Sequence, residues 1–202
     1  MSEMFSAPQD IADAWPPVQR FDGVAMSLHW LTLALIIAQF STGWPHVAMD
    51  ANWPGAQIII TLHRSVGATI WFVTLGRIVW RWRFAKLPPF PPHLSRIQRR
   101  LATASERALY ALLLFQPLTG LAQSLLRGRP FSILFLEVSA VLPTAGALAA
   151  WFHLLHRAGA YSLFALVGVH ALTALFHHFV LANDILLRML PARFCRIRPD
   201  AH

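Results

Sequence analysis

Residues 154–181 read LLHRAGAYSLFALVGVHALTALFHHFVL. Apart from Arg157 and four histidines the stretch carries no charged or readily protonated side chain. It is long enough to cross a hydrocarbon layer of about 30 Å as a helix. A helix is also the conformation that pairs every backbone N–H and C=O within one segment, which lipid demands. Within it His156 and His170 stand fourteen residues apart. That step is about 40° short of four full turns and a rise of roughly 21 Å, so the two imidazoles share one face at two depths. They are too far apart to bind one metal ion, and suited to two stacked sites.

Three more apolar windows precede this one, at Val24 to Gly43, Ile58 to Trp80 and Leu109 to Leu126, while the last runs from Leu154 to Leu181. Pro45 and Pro54 bracket the first connection, LPPFPPH fills the second, and Arg127-Gly128-Arg129-Pro130 opens the third. The third connection, Arg127 to Trp151, has room for a short surface helix over Phe131 to Val138. With 202 residues, 56% hydrophobic and 13% charged, the chain leaves no length for a sizeable soluble domain. The reading is all-α: one integral membrane four-helix bundle over residues 1–202, with residues 1–22 as a tail. That tail has acids and prolines ahead of any apolar run, unlike a cleavable signal. The net charge of +8 falls in membrane-flanking segments rather than on a folded soluble face, which argues against nucleic acid as a partner.

Of the Lys and Arg residues, thirteen fall in the N-terminal tail, the second connection with its helix ends, and the C-terminal tail; four, Arg64, Arg127, Arg129 and Arg157, fall on the other side. The positive-inside rule then puts both termini in the cytoplasm. Cys195 is the single cysteine and no C-x-x-C-H is present, so an internal disulfide and a covalently attached haem are both excluded.

Ten histidines in so apolar a chain need an account, because ionisable groups at membrane depth are costly and functional by default. His46, His93, His153 and His202 read as interfacial residues bonded to backbone or water. His29 in the first span, His63 early in the second, and His156 and His170 in the fourth stand apart. Alternating span direction sets His29 level with His170 and His63 level with His156. Each depth then offers two histidines and no cysteine or carboxylate to complete a tetrahedral zinc set. Haem iron needs only two axial ligands, so two b-type haems held by His29/His170 and His63/His156 fit better. Gly67, Gly159 and Gly168, close to the candidates, suggest room for a flat ring.

Ser27-Leu28-His29-Trp30, Leu62-His63-Arg64-Ser65-Val66-Gly67, and the final stretch with His156, His170, Phe176-His177-His178-Phe179, Asn183-Asp184 and Leu187-Arg188-Met189-Leu190-Pro191 resemble the bacterial cytochrome b561 family. The resemblance covers nearly the whole chain after Val24 and is weakest in the third connection. It implies a di-haem b cytochrome of the bacterial inner membrane with His29, His63, His156 and His170 as axial ligands. It further implies electron exchange with the quinone pool, ubiquinone in particular, and, as in some members, oxidation of superoxide at the outer face.

On that reading the protein passes single electrons from an outer-face donor to quinone, and closed axial positions keep the iron from binding oxygen. Arg64 and Arg157 each follow a proposed outer ligand, where they can steer an anion or snorkel at the interface. The local acids are few, Asp50 and Glu137. His177, seven residues past His170, is the candidate for a hydrogen bond to a quinone, ahead of His178. Two other classes compete: the cytochrome b anchor subunit of a larger dehydrogenase or hydrogenase, and a non-redox helical membrane protein with structural histidines.

Overall fold

The computed structural model describes residues 18–48, 53 and 55–191, with side chains left aside at 45–48. Four helices account for most of it: α1 (Gly23–Ala48), α2 (Ala56–Arg83), α3 (Arg96–Leu126) and α4 (Gly146–Phe179). Each contains a stretch long and apolar enough to span a membrane. Large apolar side chains such as Ile37, Phe72, Phe115 and Leu172 are exposed on the outside of the bundle, as lipid as the surrounding solvent requires. Asp50, Pro54, Cys195, Arg193, Arg196, Arg198 and His202 lie outside the described residues, as does the tail up to Pro17.

Local chemistry sets the helix ends. Asp22 Oδ1 accepts the Ala25 N–H at 2.9 Å and the Trp80 indole N–H at 3.0 Å, fixing the start of α1 against α2. Ser95 and Gln98 form a reciprocal capping box, which satisfies two otherwise orphaned N–H donors and starts α3 well before the apolar window at Leu109. Its first turns are therefore polar helix rather than connection, tied by Glu106 to Arg81 of α2 at 2.6 Å.

In the third connection the expected surface helix is not formed. Phe131–Ile133 (β1) and Leu136–Val138 (β2) pair as an antiparallel hairpin, with Phe131 opposite Val138, Ser132 opposite Glu137 and Ile133 opposite Leu136. Eight residues are too few to sustain a stable helix of two turns, and the Phe, Ile and Val among them favour strand pairing, with Phe131 alone buried. The remainder of the connection is also shorter than read, because α4 begins at Gly146.

A single layer of side chains closes the middle of the bundle: Ile36, Ile70, Leu113 and Leu163, one from each helix. Seven residues from each, in both directions, come the residues that matter most. On α1 these are His29 and Gly43, on α2 His63 and Arg77, on α3 Glu106 and Gly120, and on α4 His156 and His170. Seven residues are nearly two helical turns, a rise of about 10 Å. The bundle is thus three-layered, with the end bearing His63 and His156 termed upper and the end bearing His29 and His170 lower.

The lower end is tied shut by Arg188. Its guanidinium donates to the carbonyls of Gln19 at 2.9 Å and Pro89 at 2.6 Å, while its own carbonyl accepts the Phe21 N–H at 3.1 Å. Burial pushes this guanidinium below its ordinary pKa, with Asp184 pulling the other way. Trp30 adds a bond from its indole N–H to the Met189 carbonyl, 2.8 Å.

Candidate functional site

Both depth-matched histidine pairs come together. The rings of His29 and His170 lie 6.2 Å apart between centroids, at 57°. Those of His63 and His156 are also 6.2 Å apart, at 83°. Two metal–imidazole bonds of about 2 Å each, with the half-width of each ring, set centroids roughly 6 Å apart, so each gap suits one metal atom bonded to both rings. Among the described residues no group of three or more His, Cys, Asp and Glu is placed to hold a metal ion. The donor set therefore fits a cofactor that brings its own equatorial ligands.

The upper pair is held in the orientation such bonding needs. His63 Nδ1 lies 3.2 Å from the Gln39 carbonyl and 3.3 Å from Thr42 Oγ1. A carbonyl can only accept, so Nδ1 carries the hydrogen and Nε2 keeps its lone pair. The Gln39 side-chain amide donates to that Nε2 at 3.0 Å, so this amide has to swing aside for the lone pair to meet a metal. His156 repeats the arrangement: Nδ1 is 3.1 Å from the Gln116 carbonyl and 3.1 Å from Thr119 Oγ1. Here the Gln116 amide donates to the His156 carbonyl instead, at 3.0 Å. Backbone carbonyl partners of this kind fix tautomer and ring orientation for metal ligands.

Glycines make the close approach possible. A Cβ at Gly43 would lie 2.8 Å from His63 Cε1, and one at Gly120 would lie 3.0 Å from His156 Cε1. These two were missed in the sequence. Gly67 and Gly159, read there as room for a flat ring, instead face the side chains of Gln39 and Gln116, and Gly168 has no neighbour within 4 Å of its missing Cβ. Gln39 Oε1 and Gln116 Oε1 are buried and, among the described residues, have no partner.

A signal in the sequence could have found this set. Gln-x-x-Thr-Gly occurs at Gln39–Gly43 and again at Gln116–Gly120, and Leu-His-Arg occurs at 62–64 and 155–157. The halves α1–α2 and α3–α4 are equivalent at the upper and middle layers. At the lower layer the equivalence breaks: His29 is matched in α3 by Glu106, and His170 in α2 by Arg77. The Arg77 guanidinium sits 3.4 Å from His29 Nδ1 and stacks 5.3 Å over the Tyr110 ring.

The remaining candidates are distributed around these layers. Arg64 and Arg157 both line an upper cavity of about 530 Å³ beside His63 and His156. Arg157 is exposed, whereas Arg64 stacks over Phe131 of the hairpin at 5.0 Å. His153 bonds the Gln123 side chain at 3.1 Å, a side-chain partner where its interfacial reading expected backbone or water. His177 is buried, with Nδ1 2.7 Å from the Asn183 amide nitrogen, while His178 packs on Phe179.

Four membrane helices with two histidine pairs stacked between them have the architecture expected of a membrane cytochrome. Residues 20–192 match the prokaryotic cytochrome b561 family. The chain is 32% identical to cytochrome b561 homolog 2 of Escherichia coli (strain K12) over 174 residues, 85% of this chain and 92% of that one. It is 27% identical to cytochrome b561 homolog 1 of the same organism over 180 residues, 87% and 99% of the two chains. It is 28% identical to the probable superoxide oxidase CybB of Yersinia pestis over 183 residues, 87% and 98%. The chain belongs to the prokaryotic cytochrome b561 family, multi-pass membrane proteins that bind b-type haem and transfer electrons.

Proposed function

We propose that this cytochrome carries two b haems, one between His63 and His156 and one between His29 and His170, and moves electrons from a donor at the upper face to membrane quinone. The observation that carries the reading is the equal 6.2 Å separation of two histidine pairs on opposite sides of one apolar layer. Haem with two axial imidazoles supplies one-electron transfer. The work of the protein is to hold and orient. Gln39, Thr42, Gln116 and Thr119 keep each upper imidazole in its Nδ1–H form, and the Ile36, Ile70, Leu113 and Leu163 layer keeps water out between the ends.

The predominance of Lys and Arg near the lower end supports a cytoplasmic position for it in the inner membrane, with both termini on that side. The upper face then meets the donor. Arg64, Arg127 and Arg157 around the upper cavity favour an anion, and the similarity to a probable superoxide oxidase supports superoxide as that anion. Near the lower end the Asn183 amide donates to His177 Nδ1. That leaves Nε2–H free to donate to a quinone carbonyl, ubiquinone being the acceptor we propose.

Pyridine haemochromogen analysis of the purified chain, followed by anaerobic reduction with superoxide and addition of ubiquinone, tests the scheme. It expects about two haems per chain, reduced by superoxide and reoxidised by quinone. A fully loaded protein with one haem would remove one histidine pair from the scheme. Reduction that depends on a co-purifying soluble subunit would make the chain an anchor rather than an independent oxidoreductase.

A further inference from the structure

The hairpin that replaces the expected surface helix has an unusual tip. Its two turn residues are Leu134 and Phe135, between the paired Ile133 and Leu136. Leu134 has φ +52, a left-handed conformation that tight hairpins ordinarily assign to Gly, Asn or Asp. Phe135 is fully exposed, and Leu134 and Leu136 are exposed beside it. An apolar turn that forgoes the residues best suited to its backbone, and shows an aromatic ring to its surroundings, signals an apolar medium around the tip.

Its attachment shows which medium. The Leu134 N–H donates to Ser65 Oγ on α2 at 2.7 Å, and that hydroxyl donates onward to the Thr61 carbonyl at 2.7 Å. Ser65 shares one arc of α2 with Ile58, Leu62 and Phe72, which are all exposed. It lies seven residues below Ile58, a descent of about 10 Å along the spanning helix. The tip is therefore continuous with the lipid-facing stripe of α2. A hydroxyl satisfies its turn amide where water would not be at hand to do so. Charge follows the same axis, since Arg129 and Glu137 stand toward the open end of the hairpin and none lies at the tip.

We infer that Leu134, Phe135 and Leu136 are seated in the lipid of the upper leaflet. The strand behind them supplies Phe131 and Ile133 to the wall of the upper cavity, so lipid holds one wall of that cavity in place from outside. A second protein on the same surface would have to displace lipid from the Ile58–Leu62–Phe72 stripe as well.

Spin labels on single cysteines in a Cys195→Ser background, reconstituted in phospholipid nanodiscs, test this. Power saturation should show the label at Phe135→Cys severalfold more accessible to oxygen than to a water-soluble nickel chelate, with the order reversed at Glu137→Cys and Arg129→Cys. A Phe135→Cys label open to the chelate overturns the inference, and so does one shielded from both reagents, which would mean a protein covers the tip. The unsubstituted chain gives a second measurement independent of any variant's folding: a diazirine in the upper acyl chain should label Leu134–Leu136. Labelling of Leu62 and Phe72 without the tip would also overturn it.

Discussion

Replacing Gly43 by Ala adds one methyl group where the structure has no space for it. The new Cβ would lie 2.8 Å from His63 Cε1 and 3.1 Å from Nδ1; at Gly120 the corresponding distances to His156 are 3.0 Å and 3.3 Å. Carbon atoms rest about 3.5–4.0 Å apart, so the overlap is roughly 0.7 Å at Gly43 and 0.5 Å at Gly120. Neither imidazole can turn aside without giving up its Nδ1–H bond to the Gln39 or Gln116 carbonyl. Overpacking of this kind costs about 1–3 kcal/mol, a factor of about 5 to 150 in retention of the upper haem. The chain itself should still fold, because Ala is the better helix former by about 1 kcal/mol. Gly76→Ala is the matched control, since that glycine is exposed with nothing within 4 Å of its missing Cβ. Haem content after dialysis against a haem scavenger, with reduced-minus-oxidised spectra, should show loss of one component, greater for Gly43→Ala than for Gly120→Ala and absent for Gly76→Ala. Full retention of both components in the first two variants would refute the claim that these glycines seat the upper ligands.

The pairing makes a spectral prediction: His29→Ala and His170→Ala should remove one and the same component, and His63→Ala and His156→Ala the other, with crossed losses breaking the scheme. At the lower layer, Arg77→Leu removes a cation beside His29 and should lower the potential of the lower component. Glu106→Gln removes an anion and should raise it, so shifts of the same sign in a redox titration would exclude an electrostatic origin. If the upper arginines steer superoxide, its reduction of the haem should slow as salt rises, because exposed charges are screened over about 8 Å at physiological ionic strength. It should slow further in Arg64→Gln and Arg157→Gln, with quinone reduction by pre-reduced protein unchanged. A stopped-flow rate indifferent to both would make these arginines interfacial anchors.

The four spans and the meeting of the histidines were legible because each follows from one number. Apolar length gives the span, and a fourteen-residue step with alternating helix direction gives depth. What escaped the sequence depends on contacts between elements. Gly67 sits four residues after His63 and looked like the open floor of a ring site, yet the side chain that fills the space above it, Gln39, comes from α1. Phe131 to Val138 has the apolar content of a short helix. It becomes a hairpin because Phe131 finds the Arg64 guanidinium and Leu134 finds the Ser65 hydroxyl, both on α2. The start of α3 at Arg96 rather than Leu109 was local information that was passed over, since Ser95 and Gln98 spell a capping box.

The internal repetition of the chain bears on why two sites with the same two ligands need not behave alike. At the upper layer each half contributes His, Gln, Thr and Gly in equivalent positions, so both imidazoles meet nearly the same neighbours. At the lower layer one half contributes His29 and Arg77 and the other Glu106 and His170. Glu106 is drawn to Arg81 at the membrane boundary, and Arg77 is left against His29. A fixed cation next to a redox centre favours the state with one more electron, and does so more strongly in a low-dielectric interior than in water. If both ends were ligated alike, this local cation would draw the lower site toward the higher potential, opposed at the upper end by the half-buried Arg64 and the exposed Arg157. Electrons entering at the upper face would then run downhill to the lower layer, toward the end at which we propose that quinone is reduced. The proposed direction of transfer would then be set in the one layer where the two halves of the chain are not equivalent.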